Sequence, residues 1–157
     1  MNTGSDDKVG SMQSYIWVAL LAGIVLPIQA IINRRLSVGV DNPFLAANIS
    51  FIVAAIGLVV IQLILHQPLP TSARLSAIPL WAWFGGLLGV VYVVGAIVSV
   101  GAMGATTAIC LIIAGQIAGA LLVDQFGILG AASNPLTLMR LCGAGLVVAG
   151  AVLVLRG

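Results

Sequence analysis

The residues best suited to chemistry in this chain are a few polar side chains placed inside long apolar runs. Gln116 is the clearest, because it interrupts the apolar stretch from Gly104 to Gly127. A helix rises about 1.5 Å per residue, so Gln116 would lie roughly 15 Å along it, near the middle of a bilayer core about 30 Å thick. An amide at that depth is costly without a partner or a water-filled cavity. Gln116 is therefore either a solute-binding group or a hydrogen bond that holds two helices together.

Other polar groups could join it. Gln29 and Asn33 are four residues apart, so they share one helix face, and they follow Pro27, which removes a backbone hydrogen bond and favours a kink. The alternative is that these two amides mark a helix end entering the head-group region. Tyr92 lies near mid-depth, where its hydroxyl needs an acceptor. We predict that a solute-binding cavity is lined by Gln116, Tyr92, Gln29, Asn33 and Asn48.

Asp124 is the one acidic side chain suited to binding a proton during transport. It lies eight residues after Gln116, roughly 12 Å along a helix and so close to the membrane interface. At that depth the carboxylate has two structural alternatives. It could cap its own helix, or it could pair with Arg140 or Arg74 across the same membrane surface.

Catalytic and metal-binding chemistry finds no support. The chain has one histidine, His66, and outside its first eleven residues the acidic side chains are Asp41 and Asp124. Cys110 and Cys142 both lie in apolar runs, which favours packing over a disulfide or a metal site. The sequence carries no metal-ligand spacing, phosphate loop or nucleophile motif. We therefore predict a protein that is not an enzyme and has no cofactor and no metal.

The composition defines the class of protein that must position these groups. Of 157 residues, 61% are hydrophobic and 6% are charged, whereas soluble domains carry about 25% charged residues. The chain is therefore an integral membrane protein of all-α class, with the lipid bilayer as its surroundings. A net charge of +2 from so few groups gives no basic patch, so no nucleic acid partner is expected. Residues 1–11 are polar and read as a disordered leader or a cloning remnant, and residues 12–157 as one transmembrane domain.

Five apolar runs predict five membrane-spanning helices. Asn42-Pro43 and Asn134-Pro135 each place an N-cap residue before proline, which is a strong helix start. Arg34 and Arg35 are expected to end the first span. The predicted spans are residues 15–33, 43–65, 80–100, 104–127 and 135–155, and the very short third connection makes the third and fourth spans an antiparallel hairpin.

Small residues mark two helix faces that could pack closely. Gly115 and Gly119 form a GxxxG motif in the fourth span. In the fifth span, Gly143 and Gly150 are seven residues apart, as are Ala144 and Ala151. We predict that these six residues serve dimer packing, with packing inside one chain as a near-equal alternative for the fifth span.

The basic residues show no bias toward one side of the membrane. Five spans place the termini on opposite sides, here called side A for the N-terminal side and side B for the other. Side A would hold Lys8, Arg74 and Arg140, and side B would hold Arg34, Arg35 and Arg156, which is three against three, or two against three if Lys8 belongs to the leader. Because Lys and Arg asymmetry sets orientation, this balance predicts a chain that inserts both ways.

Four ordered segments resemble a known family. They read IQAIINRRLSVGVDNPFLAANISF, PLWAWFGGLLGVVYVVGAI, IIAGQIAGALLVDQFGILG and NPLTLMRLCGAGLVVAGAVLVL. Together they are similar to the YdcZ-like branch of the drug/metabolite transporter superfamily, whose members are five-helix proteins of the bacterial inner membrane. The resemblance implies a drug/metabolite-transporter-like bundle, a multi-pass location in that membrane, and an antiparallel pair as the working unit.

One departure limits what the resemblance implies about mechanism. Small multidrug resistance exporters of the same superfamily carry a glutamate in the middle of the first helix, whereas this chain has Gln29 and Asn33 there. Their proton or cation antiport is therefore not transferable. The resulting hypothesis is a small-molecule transporter that works as an antiparallel, dual-topology homodimer by alternating access. The alternative is a non-transporting accessory or assembly subunit.

Overall fold

The long helices account for most of the chain in a computed structural model that describes residues 3–157, with side chains from Met12 onward. In chain order the helices are α1 (Thr3–Gly39), α2 (Pro43–Ile64), the short α3 (Ser72–Ser76), α4 (Gly85–Met103), α5 (Ala105–Phe126) and α6 (Leu138–Arg156). A 3-10 turn, Leu80–Phe84, leads into α4, and another, Ile128–Gly130, follows α5. No strand occurs among the described residues, which confirms the all-α prediction. The predicted leader, residues 1–11, lies outside the residues with described side chains.

Five of these segments can span a membrane, as predicted. They are Met12–Gly39, Pro43–Ile64, Leu80–Met103, Ala105–Phe126 and Leu138–Arg156, with mean hydropathy between 2.1 and 2.6 over their most apolar windows. A bilayer core about 30 Å thick needs about 20 apolar residues in a helix. Each segment meets that length or nearly meets it, so the chain crosses the membrane five times.

The predicted end of the first span is wrong. The helix does not stop at Arg34 and Arg35 but continues to Gly39. Arginine is a good helix former, so a charge ends a membrane span without ending the helix. The chain leaves α1 through Asp41, which has a left-handed φ of 51°. There the Asn42 amide donates to the Ser37 carbonyl at 3.2 Å, which closes the turn.

The start of α2 follows the predicted signal. The Asn42 side chain accepts hydrogen bonds from the amides of Phe44, at 2.8 Å, and Leu45, at 3.1 Å. Pro43 occupies the first helical position, where its missing N–H costs nothing. Gly104 alone, with φ of 81°, separates α4 from α5, so the predicted hairpin is confirmed.

The predicted start of α6 at Asn134-Pro135 is wrong. The helix begins at Leu138, and Thr137 is its N-cap residue, accepting from the Arg140 amide at 3.3 Å. The reason is that the preceding chain is bonded to the end of α5. The Asn134 amide donates to the Asp124 carbonyl at 2.8 Å, and the Leu136 amide donates to Gln125 Oε1 at 2.8 Å. These bonds hold residues 134–136 against the end of α5, and the helix begins only after them.

The helices pack in an order that differs from their order in the chain. α1, α2 and α4 contact one another, α5 lies against α4 and α1, and α6 contacts α5. The buried core is small and lies between α2 and α4, where Ala46 and Ala47 meet Val93 and Ile97. Phe51 also packs there, with its ring 3.6 Å from the place that a methyl group on Gly89 would take. A core of this size leaves most apolar side chains facing outward, as lipid-facing helices require.

Candidate functional site

Three predicted site residues meet in a cavity between α1 and α4. Gln29 and Asn33 from α1 and Tyr92 from α4 line it, together with the apolar side chains of Leu26, Ala30, Val93 and Ala96. Its volume is about 10 Å³, which is about the space of one water molecule. The space between the helices is therefore too small for a solute, which would need the helices to separate, although Gln29 itself is exposed.

The cavity follows from how α1 and α4 meet. Ala30 and Asn33 on α1 are buried, as is Ala96 on α4. Alanine at two facing positions lets the helix backbones approach closely. Asn33 and Ser37 are four residues apart and both buried, at 5% and 3% exposure, so this face of α1 combines small and polar residues.

The polar groups of the cavity differ in their bonding. Ser50 on α2 donates a hydrogen bond from its hydroxyl to Asn33 Oδ1, which joins α1 to α2. In the part of the chain that the structure describes, neither the Gln29 amide nor the Tyr92 hydroxyl has a hydrogen-bond partner. Asn33 therefore has a packing role as well as a lining position, whereas Gln29 and Tyr92 present unused polar groups.

Gln116 and Asn48 do not line this cavity in the single chain. Gln116 is exposed on α5, and Asn48 is exposed near the start of α2. Their predicted part in solute binding needs a second copy of the chain or another conformation, and it stays a prediction.

The two small-residue faces differ in what covers them. Gly115 and Gly119 on α5 are exposed, and nothing in the chain lies within 4 Å of where a methyl group on either would point. On α6, Ala151 is buried with 4% exposure inside the chain. Gly150 and Ala151 border an apolar cavity of about 270 Å³ with Cys110 and Ile113 of α5, along with Val147 and Val154. Packing inside the chain is therefore the role that the structure gives to Ala151, whereas Gly143 is exposed and Ala144 is half-buried.

Asp124 takes one of the two structural alternatives. Its Oδ2 atom lies 3.1 Å from Arg140 Nη1, and the two side chains are 33% and 41% exposed. The same Arg140 nitrogen donates to the Asn134 carbonyl at 3.3 Å. Of the alternatives for Asp124, the structure therefore shows the ion pair with Arg140, which ties the end of α5 to the start of α6.

No group of three or more potential metal-binding side chains occurs among the described residues.

The family profile described as "Putative inner membrane exporter, YdcZ" matches residues 14–153. The chain belongs to this family. The YdcZ profile covers all five membrane-spanning helices, so the predicted family is confirmed. No curated protein matches the chain, and no solved structure does.

Membership of the YdcZ family establishes the location and the general class of function. The protein is a multi-pass transporter of the inner membrane, described at family level as an exporter. The candidate cavity lies between two helices that the YdcZ profile covers, α1 and α4.

Two residues near the site of this YdcZ-family protein were missed from the sequence. Ser50 bonds to Asn33, and Arg34 lies with its guanidinium group against Gly101 of α4. The face of α1 offered a signal for them, because Ala30, Asn33 and Ser37 recur at helical spacing and predict a buried stripe. The predicted end of the first span at Arg34 leaves Ser37 outside the helix, so the prediction did not include the whole stripe.

Proposed function

We propose that the chain exports a small-molecule solute as an antiparallel, dual-topology homodimer by alternating access. The observation that carries this proposal is the meeting of Gln29, Asn33 and Tyr92 in one cavity inside otherwise apolar spans. Polar groups at membrane depth are costly, and unbonded ones face cavities or solutes by default. The Gln29 amide and the Tyr92 hydroxyl would supply donors and acceptors to the solute.

The small volume of the cavity supports alternating access as the mechanism. About 10 Å³ holds no solute, so α1 and α4 must separate to admit one. Transporter sites commonly lie near the midplane between repeats that rock against each other. In an antiparallel dimer the two copies would act as the inverted repeats.

Two observations favour an antiparallel partner. The basic residues divide three against three between the two sides, so neither orientation is preferred. The face of α5 that carries Gly115, Gln116 and Gly119 is uncovered in the single chain. A second copy packed on this face would bring the two Gln116 amides close to the dimer axis at similar depth. That arrangement would also bring Gln116 into reach of a solute.

The transport part of the proposal is tested through Tyr92. A thermal-shift screen over amines, sugars, nucleosides and drugs would identify a stabilising solute, and its flux would be measured in vesicles containing the purified protein alone. Tyr92→Phe removes only the hydroxyl, so we expect about five- to tenfold weaker binding and lower flux. Tyr15→Phe is the matched control, because Tyr15 is exposed near the start of the first membrane span and does not line the cavity. A non-transporting accessory subunit would show no flux in any variant.

The orientation part is tested with reporters. A C-terminal fusion should report both membrane orientations in the wild-type chain. Adding two lysines to the loop after α2 should fix the chain in one orientation and abolish activity, because no antiparallel pair can form. Co-expression of this variant with a chain carrying the two lysines on the opposite side should restore activity. A wild-type chain found in one orientation only would rule out the antiparallel homodimer.

A further inference from the structure

Arg34 lies in a place in the bundle that the sequence of the chain does not predict. It lies inside α1, half-buried, and its guanidinium group lies against the backbone of α4 at Gly101. A methyl group on residue 101 would lie 2.5 Å from Cζ, 2.6 Å from Nε and 2.9 Å from Nη1 of Arg34. Only a residue without a side chain leaves room for the guanidinium in this place.

The charge of Arg34 is not neutralised by a carboxylate. Among residues with described side chains the acidic ones are Asp41 and Asp124, and the ion pair found there joins Asp124 to Arg140. The last turn of α4, which contains Gly101, carries partial negative charge from its carbonyl groups. That dipole stabilises the guanidinium where it lies but leaves a full positive charge at this point of the bundle.

This charge lies at one end of the candidate cavity. Asn33, the neighbour of Arg34, lines the cavity, as does Ala96 of α4. Gly101 follows Ala96 by five residues, which is about 7.5 Å along the helix axis toward side B. A solute that moves between the cavity and side B would therefore pass the guanidinium group.

We infer that the cavity selects solutes carrying a negatively charged oxygen group, such as a carboxylate, and that Arg34 is the residue that meets this group. The inference rests on the proposed transport function. A guanidinium presents paired N–H donors that match two oxygens of a carboxylate, and partial burial strengthens the attraction. The same charge would exclude cationic solutes, for which the described part of the cavity offers no carboxylate.

Arg35 provides a matched comparison for this role. It carries the same charge one residue later, but it is exposed on α1. A long basic side chain in that position extends to the lipid head groups. If Arg34 also only reached the head groups, removing the charge of Arg34 or of Arg35 would change the charge preference of the cavity equally.

The test measures the charge preference of the cavity without needing the natural solute. A reporter thiol is placed at the cavity by Gln29→Cys in a background of Cys110→Ala and Cys142→Ala, and the protein is reconstituted in vesicles of neutral phosphatidylcholine. Rates of modification are compared for two methanethiosulfonate reagents, one carrying a sulfonate and one a trimethylammonium group. The rate for the sulfonate reagent is divided by the rate for the trimethylammonium reagent. This ratio is then divided by the same ratio measured with free 2-mercaptoethanol.

We expect a normalised ratio above one, so that the anionic reagent is favoured. Arg34→Gln should lower it by about fivefold or more, Arg34→Lys should retain most of it, and Arg35→Gln should change it by less than about twofold. Gly101→Ala displaces the guanidinium without removing it and should also lower the ratio, which provides a second variant if Arg34→Gln misfolds. An unchanged ratio in Arg34→Gln, or equal losses in Arg34→Gln and Arg35→Gln, would overturn the inference. Modification requires the reagent to reach position 29 but not to cross the membrane, so a failure here is distinct from a failure of the transport proposal.

Discussion

At the scale of single residues, Asn33 illustrates how one side chain can serve both packing and a site. It lines the cavity between α1 and α4, and its Oδ1 atom accepts the hydroxyl hydrogen bond of Ser50 from α2. The residue is 5% exposed, so its amide would be costly without this partner. The bond therefore fixes the position of one cavity wall relative to α2.

The Asn33–Ser50 bond should make a modest, measurable contribution to stability. In a double-mutant cycle with Asn33→Leu and Ser50→Ala, we expect a coupling free energy of about 0.6 kcal/mol, which is typical for hydrogen bonds inside membranes. Thermal or denaturant unfolding in detergent would measure it. Ser99→Ala, at a half-buried serine of α4, serves as a serine control for the cycle. A coupling of zero would show that the two side chains do not interact in the folded protein.

Backbone conformation at the loop after α5 gives a second prediction for single residues. Leu129 has φ of 60° and Gly130 has φ of 81°, although only glycine adopts such angles without cost. Leu129 is 63% exposed, so its side chain adds little packing. Leu129→Gly should raise the unfolding temperature by relieving about 1 kcal/mol of strain. Gly130→Ala should lower it by a similar amount, and opposite signs from the two variants are the decisive observation.

At the scale of elements, the connection between α5 and α6 shows how contacts override a local signal. The sequence Asn134-Pro135 is a strong helix start, as Asn42-Pro43 proves at α2. At the second place, the amides of Asn134 and Leu136 donate to the Asp124 carbonyl and to the side chain of Gln125, so this part of the chain is bonded to α5. The start of α6 therefore moves to Thr137, whose side chain caps the helix.

The position of this cap is testable. Thr137→Ala removes the capping oxygen and should destabilise the protein by about 1 kcal/mol. Asn134→Ala should have a much smaller effect, because Asn134 makes its bonds through backbone atoms. Both variants would be compared by unfolding in the same detergent. The reverse order of effects would return the cap to Asn134.

At the scale of the whole molecule, the proposed dimer needs a surface on which the second copy packs. Dimer packing and packing inside one chain are both predicted for the fifth span, and Ala151 is buried by its own chain. The glycines of α5 remain open, and Gln116 lies between them. Amide side chains and open GxxxG faces are typical of helix contacts within membranes, so α5 is the surface on which we propose that a second copy packs.

Substitution of one exposed glycine on each helix tests whether α5 or α6 forms the proposed dimer contact. Gly119→Leu on α5 should block close approach of a second α5 and shift detergent-solubilised protein toward monomer. Gly143→Leu makes the same change on α6 and should leave the dimer intact. Sizing with light scattering would measure both. Dissociation by Gly143→Leu alone would move the dimer contact back to α6.

The sequence by itself determined the number of spans, the membrane class, the family and the start of α2. These are properties of single segments, because the free energy of placing a helix in lipid is a sum over its own residues and a cap uses atoms a few positions away. It also narrowed the partners of Asp124 to two arginines, of which the structure selects Arg140. Only the tertiary structure decided that Gln29 and Asn33 meet Tyr92, that Arg34 reaches Gly101, and that Ala151 is covered while Gly119 is not. Those outcomes depend on which faces of distant helices fit together, and neither hydropathy nor spacing within one helix specifies that fit.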